Sequence, residues 1–125
     1  MKIVLDTNII YAYLTKSDPN HDLAALDFQS IKESDQIIIP IIVVCELLAG
    51  IEDTKLLFEL LSALTSRLEP SNLEDIQFIR TIEFSTRKSL KSNDCAILAI
   101  SKRTKAKLLT HDQRLLAKFN DMSKL

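Results

Sequence analysis

Short apolar segments alternate with helical patterns along this chain, and the alternation constrains its fold more than any other feature. The segments are 2–5 (KIVL), 36–40 (QIIIP) and 107–110 (KLLT). A strand with consecutive apolar residues is typical of parallel sheets that are covered by helices on both faces. Helices between the strands also supply the crossovers that parallel pairing requires. The sequence therefore predicts an α/β fold around a short parallel sheet.

Two of the intervening segments have clear amphipathic periodicity. The first predicts a helix over 20–34 with Leu23, Leu26 and Ile31 on its inner side. The second predicts a helix over 71–87. Its expected inner residues are Leu73, Ile76, Ile79 and Ile82.

The other elements follow from caps and shorter patterns. Further helices are predicted over 7–14, 41–49, 54–65, 92–106 and 112–119, with a short strand over 67–70. Gly50 is predicted to close the third helix in a left-handed conformation. Residues 119–125 are predicted to form a truncated strand or a tail.

Length and composition limit the class of protein. With 125 residues, 46% of them hydrophobic and 26% charged, the chain is predicted to form one soluble globular domain over 1–125. Its longest apolar run, 37–45, is too short for a membrane span, and Asp6 interrupts any signal-peptide pattern. Cys45 and Cys95 lack C-x-x-C spacing, so we expect free, buried thiols in a reducing cytoplasm.

Basic residues are concentrated in the last third of the chain. Residues 87–118 contain nine Lys or Arg and two acids, whereas residues 1–86 contain six Lys or Arg and 14 acids. A basic surface of this kind attracts anions such as nucleic acid. A solvated helix face would produce the same pattern.

Two acids interrupt apolar surroundings. Asp6 directly follows the first strand, at the edge where parallel sheets usually bind ligands. It could equally be the N-cap of the next helix. Glu46 lies in IIVVCELLAGI, with apolar neighbours on both sides. Since an unpaired buried charge is costly, Glu46 is predicted either to belong to a metal site or to pair with a distant basic residue.

Two more acids stand at predicted helix starts. The helix dipole alone would explain Asp94, and an N-cap role alone would explain Asp112. An α/β fold would nevertheless bring both of them to one rim with Asp6 and Glu46. Four carboxylates without cations would repel one another and raise their pKa values. Mg²⁺ or Mn²⁺ would relieve this repulsion, because these ions prefer carboxylate, water and phosphate oxygens.

Four motifs of the chain resemble, in order and spacing, the acidic motifs of PIN-domain ribonucleases, particularly VapC-type toxins of toxin–antitoxin pairs. They are VLDTNIIYAYL at 4–14, CELLAG at 45–50, SNDCAILAIS at 92–101 and LLTHDQRLLAKF at 108–119. The resemblance extends over nearly the whole chain and implies a three-layer α/β/α domain. The last motif departs from the family, because many members have Asp-Phe where this chain has Arg114 and Leu115.

The resemblance implies metal-dependent hydrolysis of RNA with Mg²⁺ or Mn²⁺. The catalytic and metal-binding carboxylates would be Asp6, Glu46, Asp94 and Asp112. The residues that support them by hydrogen bonds would be Thr7, Asn8 and Thr110. The predicted contacts to RNA phosphates, all from the basic segment, are Lys91, Arg103 and Arg114.

The same resemblance implies a small antitoxin protein as a partner, a homodimer and a cytoplasmic location, without membrane association. The helix over 54–65 has more apolar residues than one inner face requires. These residues could contact the antitoxin, form the homodimer or pack in the core. Two other functions stay open: a stand-alone RNA-processing nuclease, and a non-catalytic module that binds RNA or protein.

Overall fold

Four short strands form one parallel sheet in the structure, a computed structural model that describes residues 1–122. The strands are β1 (Lys2–Leu5), β2 (Gln36–Pro40), β3 (Arg67–Glu69) and β4 (Lys107–Leu109). Their spatial order is β3-β2-β1-β4, so β1 lies between β2 and β4. The predicted strands and their parallel pairing are confirmed.

Helices cover both faces of the sheet, as the exposure of its central strands shows. Consecutive residues of a strand point to opposite faces, and Ile37, Ile38 and Ile39 are all at most 2% exposed. Val4 and Leu5 of β1 are fully buried in the same core. Each large apolar side chain that is buried in this way stabilises the fold by roughly 1.5–3 kcal/mol. The three-layer α/β/α architecture is therefore confirmed.

Eight helices accompany the sheet within the described residues. They are α1 (Thr7–Leu14), α2 (His21–Gln29), α3 (Ile41–Gly50), α4 (Thr54–Ala63), α5 (Leu73–Arg80), α6 (Phe84–Ser89), α7 (Ser92–Arg103) and α8 (Gln113–Met122). Between residues 1 and 122, none of these helices is long and apolar enough to cross a membrane.

Helix α2 is shorter than predicted and presents a different face to the core. Leu23 and Leu26 are 49% and 61% exposed, and Ala24 is the buried residue of the helix. Ile31 lies beyond the end of the helix. The prediction is therefore wrong for Leu23 and Leu26, whereas Ile31 is partly buried against the core as predicted.

The prediction of a single helix over 71–87 is wrong, because two helices, α5 and α6, lie in this region. The hydroxyl of Thr81 donates to the carbonyl of Phe78 at 2.6 Å, which satisfies a backbone acceptor at the end of α5. Leu73 and Ile76 are exposed rather than buried. The buried residue of α5 is an acid, Asp75, which is 1% exposed.

Arg103 explains the burial of Asp75. Its Nε and Nη2 donate to the two oxygens of Asp75 at 2.8 and 3.1 Å, and Nη1 donates to Glu69 at 2.6 Å. These bonds raise the pKa of the Arg103 guanidinium, mainly through Asp75. One arginine thereby joins α7 to β3 and α5 by charge-assisted, bidentate contacts.

Three smaller predictions are corrected. Gly50 is the last residue of α3 and has no positive φ, so the left-handed closure is wrong. Residues 119–122 continue α8 instead of forming a strand or tail, and 123–125 lie outside the described residues. Cys45 and Cys95 are both free, as expected, but Cys45 is exposed.

Candidate active site

Pairing of the first and last strands brings distant polar residues together. Leu5 of β1 is level with Leu109 of β4, so Asp6 and Thr110 leave the sheet side by side. The Asp6 amide donates to the Leu109 carbonyl at 3.0 Å. The Thr110 hydroxyl, 104 residues away in sequence, donates to Asp6 Oδ2 at 2.7 Å.

The Asp6 carboxylate is 6% exposed and has two roles. Its Oδ1 accepts from the Thr7 amide at 2.7 Å and caps α1. Its Oδ2 accepts from the Thr110 hydroxyl and, at 3.3 Å, from the Asn8 side-chain amide. Asp6 is therefore both the N-cap of α1 and a candidate metal ligand. Its Oδ1 accepts the capping hydrogen bond, and its Oδ2 accepts the bonds from Thr110 and Asn8.

Asn8 and Thr110 connect Asp6 to residues 110–112, which we call the 110–112 loop. The Asn8 amide nitrogen donates to Thr110 Oγ1 at 3.2 Å, and its oxygen accepts from the His111 backbone N–H at 3.0 Å. Thr110 Oγ1 also accepts from the Asp112 backbone N–H at 3.0 Å. Both side chains thus lie where the sequence predicted supporting residues.

Glu46 enters the site from α3. The Thr7 hydroxyl donates to Glu46 Oε1 at 2.9 Å, and the glutamate is partly exposed. None of the ion pairs among residues 1–122 includes Glu46, so the distant basic partner that the sequence left open is not found in this part of the chain.

Asp94 and Asp112 approach from the starts of two further helices. Asp94 lies in the first turn of α7, where its Oδ2 accepts from the Lys91 backbone N–H at 3.3 Å. Asp112 Oδ1 accepts from the backbone N–H groups of Arg114 and Leu115 at 3.0 and 3.2 Å, which caps α8. The second oxygen of Asp112 has no hydrogen bond to another described residue.

The four acids affect one another electrostatically. Burial raises the pKa of Asp6, hydrogen bonds from Thr110 and Thr7 oppose the rise, and the charges of Asp94 and Glu46 add to it. Burial also raises the pKa of Asp94, opposed by the Lys91 amide and increased by Asp112 and Glu46. Four segments of the chain therefore place mutually repelling carboxylates in one region.

The donor set fits a hard divalent cation. As the side chains lie, no three His, Cys, Asp or Glu residues within 1–122 form a ready-made group that could hold a metal ion. Mg²⁺ does not need such a group, because it is commonly held by one or two carboxylates together with water and substrate phosphate oxygens. The raised pKa values of Asp6 and Asp94 mark a site where a cation would lower the electrostatic energy.

Neutralising Asp94 is expected to stabilise the metal-free protein at neutral pH. A raised folded pKa means that stability falls as pH rises from the ordinary value of 3.8 through the folded pKa, so the charged form is penalised at neutral pH. Asp94→Asn should therefore raise the melting temperature by a few degrees at neutral pH and leave it unchanged in acid. Thermal unfolding in a pH series, with a chelator present, measures both effects.

Glu74→Gln is the matched control for that series. Glu74 is an exposed acid in the first turn of α5, where its charge favours the helix dipole. Its replacement should lower the melting temperature slightly. A decrease of the same sign for Asp94→Asn would contradict the proposed repulsion.

Removing the Thr110 hydroxyl is expected to destabilise the fold by about 1–3 kcal/mol, because buried polar groups lose their partner. Thr110→Val would leave Asp6 Oδ2 without its shortest hydrogen bond and the Asp112 N–H without an acceptor. Chemical denaturation gives the free energy of unfolding. Thr104→Val is the control, because Thr104 is equally buried. Its hydroxyl donates to the Ile100 carbonyl, and this carbonyl keeps a second hydrogen bond from the Thr104 N–H when the hydroxyl is removed. Equal losses for both variants would contradict a special role of Thr110.

The three predicted RNA contacts lie in different surroundings. Lys91 is exposed and close enough to Asp94 for its charge to lower the pKa of that acid. Arg114 is exposed, and its Nη2 donates to the Ser89 carbonyl at 2.7 Å. The Arg103 guanidinium is engaged by Asp75 and Glu69 at the other end of α7. Lys91 and Arg114 therefore adjoin the acids, and Arg103 does not.

One residue near the site escaped the sequence reasoning. Asp27 of α2 lies 2.7 Å from Nε2 of His111, 84 residues away. A single acid on a predicted amphipathic helix carries no signal that it contacts a distant loop. The tertiary fold brings it there, with α2 packed against α1.

Fold and site together define a class of protein: a parallel α/β domain with a carboxylate site at the ends of its strands. The family model of the PIN domain matches residues 3–121. The chain belongs to the PIN domain family, whose members are generally nucleases that use divalent metals. The resemblance seen in the four motifs is thereby confirmed at the level of the family.

Solved structures of low sequence identity share the fold. FitAcB from Neisseria gonorrhoeae is 23% identical with a TM-score of 0.70, covering 94% of this chain and 93% of that chain. VapBC2 from Rickettsia felis, bound to a promoter DNA fragment, is 18% identical (TM-score 0.72, coverage 91% and 90%). A toxin–antitoxin complex from Klebsiella pneumoniae is also 18% identical (TM-score 0.68, coverage 92% and 90%). A comparison with curated proteins gives no match.

Proposed function

We propose that this protein is a Mg²⁺- or Mn²⁺-dependent endoribonuclease that acts in the cytoplasm as one nuclease domain. The observation that carries the proposal is the convergence of Asp6, Glu46, Asp94 and Asp112, with the pKa of Asp6 and Asp94 raised by burial and by the neighbouring acids. Membership of the PIN domain family supports the same chemistry.

The acids would hold the cation, and their surroundings suggest a division of roles. Asp6 is held by three hydrogen bonds and Glu46 by one from Thr7, which orients them as fixed ligands. Asp94 and Asp112 lie at helix starts and are only half-buried, so either carboxylate could also orient the attacking water. When bound, the cation polarises the phosphodiester and lowers the pKa of water.

Basic residues next to the acids would guide RNA to them. Lys91 and Arg114 are exposed beside the starts of α7 and α8, close to Asp94 and Asp112. Contacts from such residues to phosphates give affinity without base specificity and weaken as salt concentration rises. Arg103 is not included, because its guanidinium is engaged in ion pairs.

Metal-dependent cleavage of cellular RNA tests the nuclease proposal. Total RNA is incubated with purified protein and Mg²⁺, Mn²⁺ or a chelator, and new 5′ ends are mapped by sequencing. We expect new ends only with metal. RNA binding that does not depend on metal, with no new 5′ ends in total RNA, would identify a non-catalytic binding module instead.

We also propose that the protein is the toxin of a toxin–antitoxin pair and forms a homodimer. The solved complexes of the same fold, one of them described as a toxin–antitoxin complex, support a protein partner. Leu56 and Phe58 of α4 are 43% and 46% exposed, while Leu57 and Leu61 of the same helix are buried. Helix α4 thus has apolar residues on an outer side as well as an inner one.

Growth of cells that express the chain tests the toxin role separately. Expression should arrest growth, and co-expression of a small protein encoded next to it should restore growth. Normal growth alongside metal-dependent cleavage in vitro would instead indicate a stand-alone RNA-processing nuclease. Sedimentation of wild type and Phe58→Glu tests whether the exposed side of α4 forms the homodimer.

A further inference from the structure

A contact between helix α2 and the 110–112 loop is not part of the proposed metal site. His111 Nε2 and Asp27 Oδ2 are 2.7 Å apart, and their side chains are 11% and 23% exposed. Both groups are therefore largely shielded from water, where a hydrogen bond to a carboxylate is stronger than at the surface.

His111 stands between two site residues in the chain. Thr110 before it donates to Asp6, and Asp112 after it is one of the four acids. The His111 backbone N–H donates to Asn8, while its ring contacts Asp27. The loop is thus attached to Asp6 and Asn8 through Thr110 and the His111 backbone, and to α2 through the His111 ring.

Within residues 1–122, the ring has no second polar partner that could replace Asp27. Its Nδ1 is buried and makes no hydrogen bond within residues 1–122. The contact of Nε2 with Asp27 is therefore the one hydrogen bond that orients the ring within the described residues. Loss of that contact would detach the loop that carries Asp112 from α2 and leave its hydrogen bonds with Asp6 and Asn8.

We infer that Asp27 and His111 form a positioning pair that holds the Asp112 carboxylate in place for a divalent cation. The inference rests on the proposed metal-dependent function. Neither residue contacts the metal: Asp27 acts through the His111 ring, and the ring acts through the backbone of the 110–112 loop. Partners of this kind typically change metal affinity by about 10–100-fold when they are removed.

Direct titration of the metal-free protein with Mn²⁺, followed by electron paramagnetic resonance, tests the inference without an activity assay. His111→Phe keeps the volume of the ring but removes its hydrogen bond, and Asp27→Ala removes the acceptor. Both should weaken Mn²⁺ binding by about 10-fold or more. His111→Gln retains a side-chain N–H that can donate to Asp27, so it should recover most of the affinity.

His21→Ala is the matched control, because it separates positioning from general stability. The His21 ring is also half-buried and joins two elements, through Nδ1 and the Ala12 carbonyl at 2.9 Å. Its loss should lower the melting temperature without changing Mn²⁺ affinity. Unchanged affinity in His111→Phe and Asp27→Ala, or an equal decrease in His21→Ala, would overturn the inference.

Asp6→Asn in the same titration tests the proposed metal site separately from the positioning role of Asp27 and His111. If wild type binds Mn²⁺ and Asp6→Asn does not, the metal site stands and the comparison above decides the role of His111 and Asp27. If wild type binds no Mn²⁺, both the proposed function and the positioning pair are wrong.

Discussion

Asp6→Asn is expected to reduce RNA cleavage by at least about 100-fold, because a metal ligand is lost from the site. Asp6 is the most buried of the four acids and the one with most hydrogen bonds. Asparagine has nearly the same shape, but it lacks the negative charge that would attract the cation. Initial rates of RNA cleavage at saturating Mg²⁺ measure the loss.

The fold should survive this substitution. Asparagine caps helices about as well as aspartate, so α1 can still begin at Thr7. Circular dichroism and the melting temperature test this point. Asp22→Asn, at an exposed acid in the first turn of α2, should retain wild-type activity. If Asp6→Asn cleaved RNA at the wild-type rate, Asp6 would have no catalytic role.

Arg103→Ala is expected to lower the free energy of unfolding by about 3–5 kcal/mol, since it leaves buried carboxylates without their counter-charge. Asp75 is 1% exposed and receives two of its hydrogen bonds from this guanidinium. Glu69 would lose a 2.6 Å contact as well. The loss exceeds that of a typical surface substitution, and urea denaturation at neutral pH measures it.

Arg80→Ala provides the comparison for this experiment. Arg80 is an exposed arginine in the last turn of α5 and should change stability by less than about 0.5 kcal/mol. If Arg103→Ala were equally mild and lost RNA affinity instead, the original prediction that Arg103 contacts RNA would regain support.

Signals that extend over a few neighbouring residues were read correctly from the sequence. The strands at 2–5 and 36–40 are apolar runs, which is typical of strands in a parallel sheet that helices cover on both faces. Asp6 was recognised because a charge directly after such a run is unusual. In the structure, the Thr7 amide donates to one oxygen of Asp6 and the Thr110 hydroxyl donates to the other. The same side chain can therefore cap α1 and be a candidate ligand.

Features that depend on distant partners could not be read in the same way. Nothing in the residues around Asp75 indicates that it is buried, because its partner Arg103 lies 28 residues away. Periodicity places the leucines of α2 in the core, whereas the structure buries Ala24 and packs Phe28 against the core instead. Periodicity identifies an apolar side of a helix, and tertiary packing decides which side is buried.

The pairing of β1 with β4 has a consequence for synthesis of the chain on the ribosome. Asp6 is made 104 residues before its Thr110 partner, which lies in the segment that follows β4. A nascent chain that ends before residue 107 has one edge of β1 unpaired and lacks Asp112. During translation, Asp6 is therefore present long before the site is complete. The proposed activity begins only after β4 has emerged from the ribosome and paired with β1.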